Sequence, residues 1–181
     1  MSKTFLIGDT HFGHSNILTF KKANGEPLRR FPNITEHDEY LIYRWNLTVK
    51  PEDKVYHLGD IGFKSWTQLD YILSRLNGTK VLIKGNHDNL KLSQYAQHFK
   101  DVRASHQLDK FLLTHIPIHP DSLSRWVGNI HGHVHSNSLD DPRYINVSVE
   151  QLDDYAPVDF ERIKKDYDYT SCNSRHADKI W

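Results

Sequence analysis

At four places where a strand is expected to end, a glycine stands directly before a side chain that binds metal ions well: Gly8-Asp9, Gly59-Asp60, Gly85-Asn86 and Gly132-His133. The first three pairs close short runs rich in β-forming residues, Phe5-Leu6-Ile7, Val55-Tyr56-His57-Leu58 and Val81-Leu82-Ile83, and the fourth follows residues 127–130. In open α/β sheets, sites form where strands end at their carboxyl side. A glycine at such an end lets other groups approach closely. Strands that each end in a donor therefore constrain the chain to gather those ends. Asp60, at the tip of the second run, is placed to share its carboxylate oxygens between two metal ions.

The pattern along the chain predicts how the strands are carried. Residues 3–8, 55–58 and 80–84 read as three strands. Between them, a helix from Thr35 to before Pro51 repeats Leu41, Ile42 and Trp45 at helical spacing, and a second over 65–76 carries Trp66, Leu69, Ile72, Leu73 and Leu76 before Asn77-Gly78 stops it. Ser15 is expected to cap a short helix with Ile17, Leu18 and Phe20, and residues 90–99 to form another helix. The stretch 21–32, with Asn24-Gly25 and two prolines, reads as a loop. From Val102 the texture turns β-rich. Residues 102–108 and 110–114 form a strand pair turned near Asp109 and ending at His115; 127–130 and 144–149 are further strands, and 160–167 a closing helix. The tail from Asp168 is polar and reads as mobile, with Trp181 placed to dock. No linker or repeat divides the chain, so the expectation is one α/β domain over 1–181, two packed sheets flanked by helices.

Composition excludes several classes. Of 181 residues, 38% are hydrophobic and 25% charged, an ordinary globular balance. With 23 basic and 23 acidic side chains the formal charge is zero, which argues against a protein built to grip long nucleic acid. Cys172 is the only cysteine, so neither an internal disulfide nor a cysteine-based zinc site is available. The apolar run near the start is too short for a signal peptide, and none elsewhere approaches a membrane span; a cytoplasmic address is expected.

The 13 histidines are the unusual count, and their positions matter. Asp9-x-His11 follows a strand, and side chains two apart in extended backbone point the same way; His133-x-His135 repeats that spacing. Imidazole mixed with carboxylate and amide oxygens suits borderline ions such as manganese, iron, zinc, cobalt or nickel and suits calcium poorly; manganese is the first choice for the ion that supports activity. Two such ions about 3.5 Å apart activate a water held between them and clamp both ends of an in-line displacement at phosphorus. No serine or cysteine nucleophile is required.

Gly8-Asp9-Thr10-His11, Gly59-Asp60, Gly85-Asn86-His87-Asp88, His115 after a strand, and Gly132-His133-Val134-His135 together resemble the ordered motif set of the calcineurin-like metallophosphoesterases. Within that superfamily the chain is most similar to the small single-domain bacterial and phage-type phosphoesterases. The resemblance implies a four-layer αββα sandwich and hydrolysis of phosphate esters by a metal-bridging hydroxide. It implies that Asp9, His11 and His135 hold one ion and Asn86, His115 and His133 the other, with Asp60 on both. His87 would face the phosphate unligated, stabilising the transition state or protonating the leaving oxygen, and Asp88 would orient it. In the protein phosphatases of this superfamily the second motif continues to an aspartate and arginine; here it continues Ile61-Gly62-Phe63-Lys64. That shifts the expected substrate from phosphoproteins to a phosphodiester or nucleotide.

Further residues have two readings each. His14, one turn from His11, touches substrate or caps the next helix. His131 precedes the ligand pair and reads as unligated, His57 as a core histidine, and His119 as a loop residue near the site. Arg29 and Arg30 sit in a loop with Lys21 and Lys22, read either as solvated or as a flap binding anionic substrate. Phe12, Tyr56 and Trp126 are the aromatics expected to stack a base if any does. Two rival functions remain: a non-catalytic scaffold of the same fold that binds a protein partner, and a nuclease acting on DNA or RNA. Complete ligand motifs weigh against the first, and neutral charge against the second.

Overall fold

The first strand, β1 (Thr4–Ile7), is apolar on both faces, and that dictates a layer on each side. Phe5 and Ile7 face one way and join Val55 and Leu82 in a core with Leu41, Ile42 and Trp45 of helix α1 (Ile34–Thr48) and Leu69, Ile72 and Leu73 of α2 (Trp66–Ser74). Leu6 faces the other way, into a second core with Tyr56, Val81 and Ile83 on its own sheet and Phe111, Leu113 and Ile130 on another. The computed structural model describes residues 2–167, so the expected tail from Asp168 lies outside the described residues.

The first sheet has the order β4-β3-β2-β1-β9, with β2 (Lys54–His57), β3 (Thr79–Ile83) and β4 (Phe99–Arg103) parallel to β1, and β9 (Val158–Asp159) antiparallel at the edge. The second has the order β5-β6-β7-β8. Its β5 (Ser105–Leu108) and β6 (Phe111–Thr114) form a hairpin turned at Asp109, whose φ is 53°, and β7 (Gly128–His131) and β8 (Tyr144–Asn146) run parallel to β6. The fold is therefore α/β with two mixed sheets and helices. Short helix α3 (Leu92–Tyr95) precedes β4, and α4 (Phe160–Asp166) follows β9, with Phe160 and Ile163 closing the inter-sheet core. Among the described residues no helix is long and apolar enough to cross a membrane.

Three local expectations are corrected. The helix expected over 90–99 is one turn, because Phe99 is claimed by the sheet opposite Lys80. The strand expected over 102–108 divides at Ala104, and its halves enter different sheets. The strand expected over 144–149 ends at Asn146, whose Oδ1 accepts the Ser148 N–H at 2.9 Å. Val147 still donates to His131 O (2.8 Å), but its carbonyl accepts from Gly8 N–H (2.8 Å), and Val149 N–H donates to Gly8 O (3.1 Å). Residues 147–149 thus tie the end of β1 in one sheet to the end of β8 in the other. Near Ser15, the short helix is 3-10 (Ser15–Leu18), preceded by His14 at its cap position.

Helix α1 begins where Asn33 accepts the Glu36 N–H, and Trp45 anchors it, fully buried with Nε1 donating to Asn77 O at 3.0 Å. Removing the indole (Trp45→Ala) leaves a cavity costing about 3–5 kcal/mol.

At the end of β2, His57 is buried with both ring nitrogens committed. Thr10 Oγ1 donates to Ile61 O (2.9 Å) and so accepts from His57 Nε2–H (2.9 Å), while His57 Nδ1 accepts from Gly59 N–H (3.2 Å). Only the neutral ring satisfies both bonds, and burial holds its pKa down to about 3 from the ordinary 6.5. Because the folded value lies below the unfolded one, this ring's contribution is complete above pH 6.5 and is lost as pH falls toward about 3. Urea midpoints of the metal-free protein across that range are expected to fall more steeply for the wild type than for His57→Gln; parallel curves would remove His57 as the cause.

Candidate metal centre

Parallel pairing of β1, β2 and β3 sets Ile7 beside His57 and His57 beside Leu82, so the loops that follow emerge together. What aims the side chains is not the strand pleat. Asp9, His11, Asp60, His133 and His135 have φ of 56°, 50°, 55°, 71° and 52°, all left-handed. Convergence of Asp9 with His11, and of His133 with His135, therefore comes from turns rather than from the extended alternation expected. Each such residue costs on the order of 1–3 kcal/mol, tolerated only where surroundings over-determine it. The surroundings here are main-chain bonds: Asp9 N to Gly59 O (2.9 Å), His11 N to Asp60 O (3.0 Å) and Phe12 N to Ile61 O (2.8 Å).

Two of the glycines are required because a ligand carboxylate lies against them. A Cβ on Gly85 would lie 2.2 Å from Asp60 Oδ1, and one on Gly132 would lie 2.3 Å from Asp9 Oδ2.

The loops assemble two groups. Asp9, His11 and His135 form one, and Asp60, His115 and His133 the other, with donor atoms in each group within 4.8 Å of one another. Asp60 Oδ2 stands between them, 3.4 Å from His115 Nε2 and 3.8 Å from His11 Nε2. Asn86 joins the second group, its Oδ1 2.8 Å from His115 Nε2. His133 Nδ1 is 3.2 Å from that same nitrogen. Donors about 2.1 Å from one ion are separated by about 3.0–3.4 Å in octahedral or tetrahedral shells, so the second group is close to that spacing. The first is looser, with 3.9 Å from His11 Nε2 to Asp9 Oδ1.

His11 Nε2 is buried with no hydrogen-bond partner. A buried polar atom left so costs about 1–3 kcal/mol unless something satisfies it. Burial, reinforced by the positive charge of Arg29, holds this imidazole neutral with its pKa far below the usual range. A neutral ring with an open lone pair, beside two carboxylates, is the chemistry of a cation ligand. Burial also raises the Asp9 carboxyl to about 6.

Neighbours fix the rings. His115 Nδ1 donates to Leu58 O (2.7 Å) and His135 Nδ1 to Glu150 Oε1 (3.0 Å), so each ring turns its Nε2 toward its own ligand group. Ser148 Oγ lies 2.9 Å from Asp9 Oδ2, and the His133 N–H donates to the same carboxylate. Glu150 and Ser148 carry no motif in the sequence; they reach the site only because the chain turns at Asn146.

Two expected roles are corrected. Asp88 does not orient His87. Its buried carboxylate accepts from the N–H groups of Asp60 (2.9 Å), Ile61 (3.0 Å) and Gly85 (2.8 Å), fastening the loops after β2 and β3 together. Arg29 is not part of a substrate flap. It is 1% exposed and grips Glu150 Oε1 (2.8 Å), Thr10 O (2.8 Å) and Asp9 O (2.5 Å) beneath the site. Arg30 is paired in solvent with Glu26 at 3.2 Å.

His87 belongs to neither group; it is exposed, with its N–H on Asp60 Oδ1 (2.8 Å) and its ring 4.7 Å from Phe63. His14 stacks on the other neighbour of that ring, 4.1 Å from Phe63, with Nδ1 3.3 Å from His11 Nδ1. Phe63, part of the Ile61-Gly62-Phe63-Lys64 continuation after Asp60, is thus the aromatic between these two histidines at the mouth. Phe12 and Tyr56 are buried, and Trp126 bonds Gln107, so none of these three takes that place. His131 is buried against Tyr144, outside both groups, and His119 is exposed beside Asp121. Glu150→Gln is expected to weaken binding of an added divalent cation at these groups by about 10–100-fold and to lower the thermal midpoint, since breaking a buried ion pair costs about 3–5 kcal/mol. Calorimetric titration and thermal denaturation check both; unchanged metal affinity in the folded variant would place Glu150 outside the site.

No family model matches the chain. The uncharacterized protein MJ1445 of Methanocaldococcus jannaschii is 37% identical over 176 residues, covering 91% of each chain. The Gene 66 protein of Mycobacterium phage D29 is 29% identical over 195 residues, covering 88% of this chain and 94% of its own. The crystal structure of AQ665 from Aquifex aeolicus, a protein of unknown function, superposes with a TM-score of 0.70 at 27% identity, over 91% of this chain and 99% of that one. With more than a third of residues shared over nearly the full length of both, this chain belongs to the same family as MJ1445.

Proposed function

We propose that this chain is a dinuclear metal-dependent phosphoesterase that hydrolyses phosphodiesters or nucleotides, on the calcineurin-like αββα sandwich. The observation that carries the reading is the position of Asp60 Oδ2, between His11 and His115 and so between two ligand groups, beside a buried His11 nitrogen with no partner. The two mixed sheets with α1 and α2 packed on the first are compatible with that sandwich.

In this reading Asp9, His11 and His135 hold one ion, Asn86, His115 and His133 the other, and Asp60 both. Manganese is the first choice, with iron, zinc, cobalt or nickel as alternatives. The pair of ions, when bound, supplies the positive charge that activates water and stabilises phosphoryl oxygens.

The side chains do the rest. Glu150 and the Leu58 carbonyl lock the tautomers of His135 and His115, so their lone pairs are already aimed. His87, exposed and held at the mouth through its own N–H, donates a proton toward the leaving oxygen. Phe63 packs between His87 and His14, limiting how far either ring swings. The continuation of the second motif as Ile61-Gly62-Phe63-Lys64, in place of an acid and an arginine, turns the reading away from phosphoproteins. A cytoplasmic address is part of the same proposal.

The manganese-loaded protein is expected to hydrolyse bis-p-nitrophenyl phosphate. His87→Ala is expected to lower kcat by about 10²–10⁴ with metal content unchanged, whereas Asp60→Asn loses both turnover and metal. Absence of turnover with all five metals, or a single ion in the active protein by anomalous scattering, would overturn the reading.

A further inference from the structure

A cavity of about 700 Å³ adjoins the ligands His133 and His135 and runs between two walls, residues 20–23 and 134–139. That is far more room than one phosphate fills and is of the size that holds a nucleotide-sized ligand. Lys21 and Lys22 line it, and no acidic side chain does. Among the described residues neither lysine has an ion pair or side-chain hydrogen bond, whereas Arg29 and Arg30 of the same loop are paired with Glu150 and Glu26.

Both walls are fixed. The Lys22 N–H donates to Glu26 O (2.8 Å) and the Leu28 N–H to Phe20 O (2.7 Å), and buried Leu28 and Arg29 root the loop. Opposite, Asn146 Nδ2 donates to His135 O (2.7 Å) and Asn137 O (3.0 Å). Phe20, 45% exposed and T-shaped against His14, and Val134 offer apolar surface in the same cavity.

We propose, building on the phosphoesterase reading above, that this cavity holds a second phosphoryl group of the substrate on Lys21 and Lys22. The preferred substrate is then a dinucleotide-type diester carrying a further terminal phosphate, its nucleoside lying along Phe20 and Val134. An ester with one phosphate leaves the two ammonium groups without a counter-charge. Lysine suits this use, as a compact mobile charge that follows a tetrahedral anion without demanding one orientation.

The test compares manganese-supported cleavage of the adenosine dinucleotide ApA with its 5′-phosphorylated (pApA) and 3′-phosphorylated (ApAp) forms. One phosphorylated form is expected to exceed ApA in kcat/KM by about tenfold or more, the effect of one charge-assisted contact. The double variant Lys21→Ala, Lys22→Ala is expected to erase that preference while leaving bis-p-nitrophenyl phosphate hydrolysis unchanged. The preference should also shrink as salt is raised. Equal kcat/KM for the three dinucleotides, or a preference that survives in the double variant, overturns this proposal while turnover of the small diester leaves the phosphoesterase reading standing. Loss of small-diester turnover in the wild type overturns both.

Discussion

The carboxylate of Asp60 is held in a place where a lone negative charge is costly, and much of the surrounding structure exists to keep it there. Asp9, Asp60 and Asp88 are almost fully buried within this cluster, as is the side chain of Glu150, and Arg29 is the buried guanidinium set against them. Main-chain N–H groups make up part of the difference: His87 toward Asp60, His133 toward Asp9, and Asp60, Ile61 and Gly85 toward Asp88. Charged acceptors that receive such bonds are stabilised by roughly twice what a neutral pair contributes. The acids that face each other across the two histidine groups still outnumber nearby fixed cations. That imbalance, with a buried imidazole nitrogen unmatched, is what bound divalent ions would relieve.

Strain and support are placed together. Five left-handed residues cluster at the site, against three non-glycine ones elsewhere among the described residues, Asp109, Asp154 and Tyr155. The loops carrying them are braced across the two sheets. Gly8 exchanges hydrogen bonds with Val147 and Val149 across the sheets, and within the second sheet Gly132 N–H donates to His115 O (3.0 Å). Neither sheet alone could hold this arrangement, because Asp9 belongs to one and its partners His133 and Ser148 to the other. The apolar layer between the sheets, from Leu6 and Val81 to Phe111 and Ile130, therefore sets the spacing of the polar site at its edge.

Much of the candidate site was legible in the sequence, for a local reason. Donors directly after strands, preceded by glycine, are a one-dimensional pattern, and all seven expected ligands come together in the structure. The strands β1, β2, β3, β6 and β7 were legible likewise, as apolar runs between breakers. Residues whose roles depend on distant partners were not. Arg29 reads as a loop cation, and only its burial against Asp9, Thr10 and Glu150 makes it a foundation. Phe99 reads as the end of a helix until Lys80 claims it for the sheet.

By itself the sequence determined which side chains stand at strand ends, that their chemistry is oxygen and imidazole, and that an α/β layering would carry them. Those are properties of short windows, where alternation, turn residues and donor type are already written. Only the tertiary structure decided that Asp88 fastens two loops rather than steering His87, that Glu150 backs His135, and that Lys21 and Lys22, not Arg29, line the cavity beside the ligands. Each of these depends on a contact between segments far apart in the chain. No local pattern encodes such a contact; it is settled when two sheets bury a common core and bring their ends to one edge.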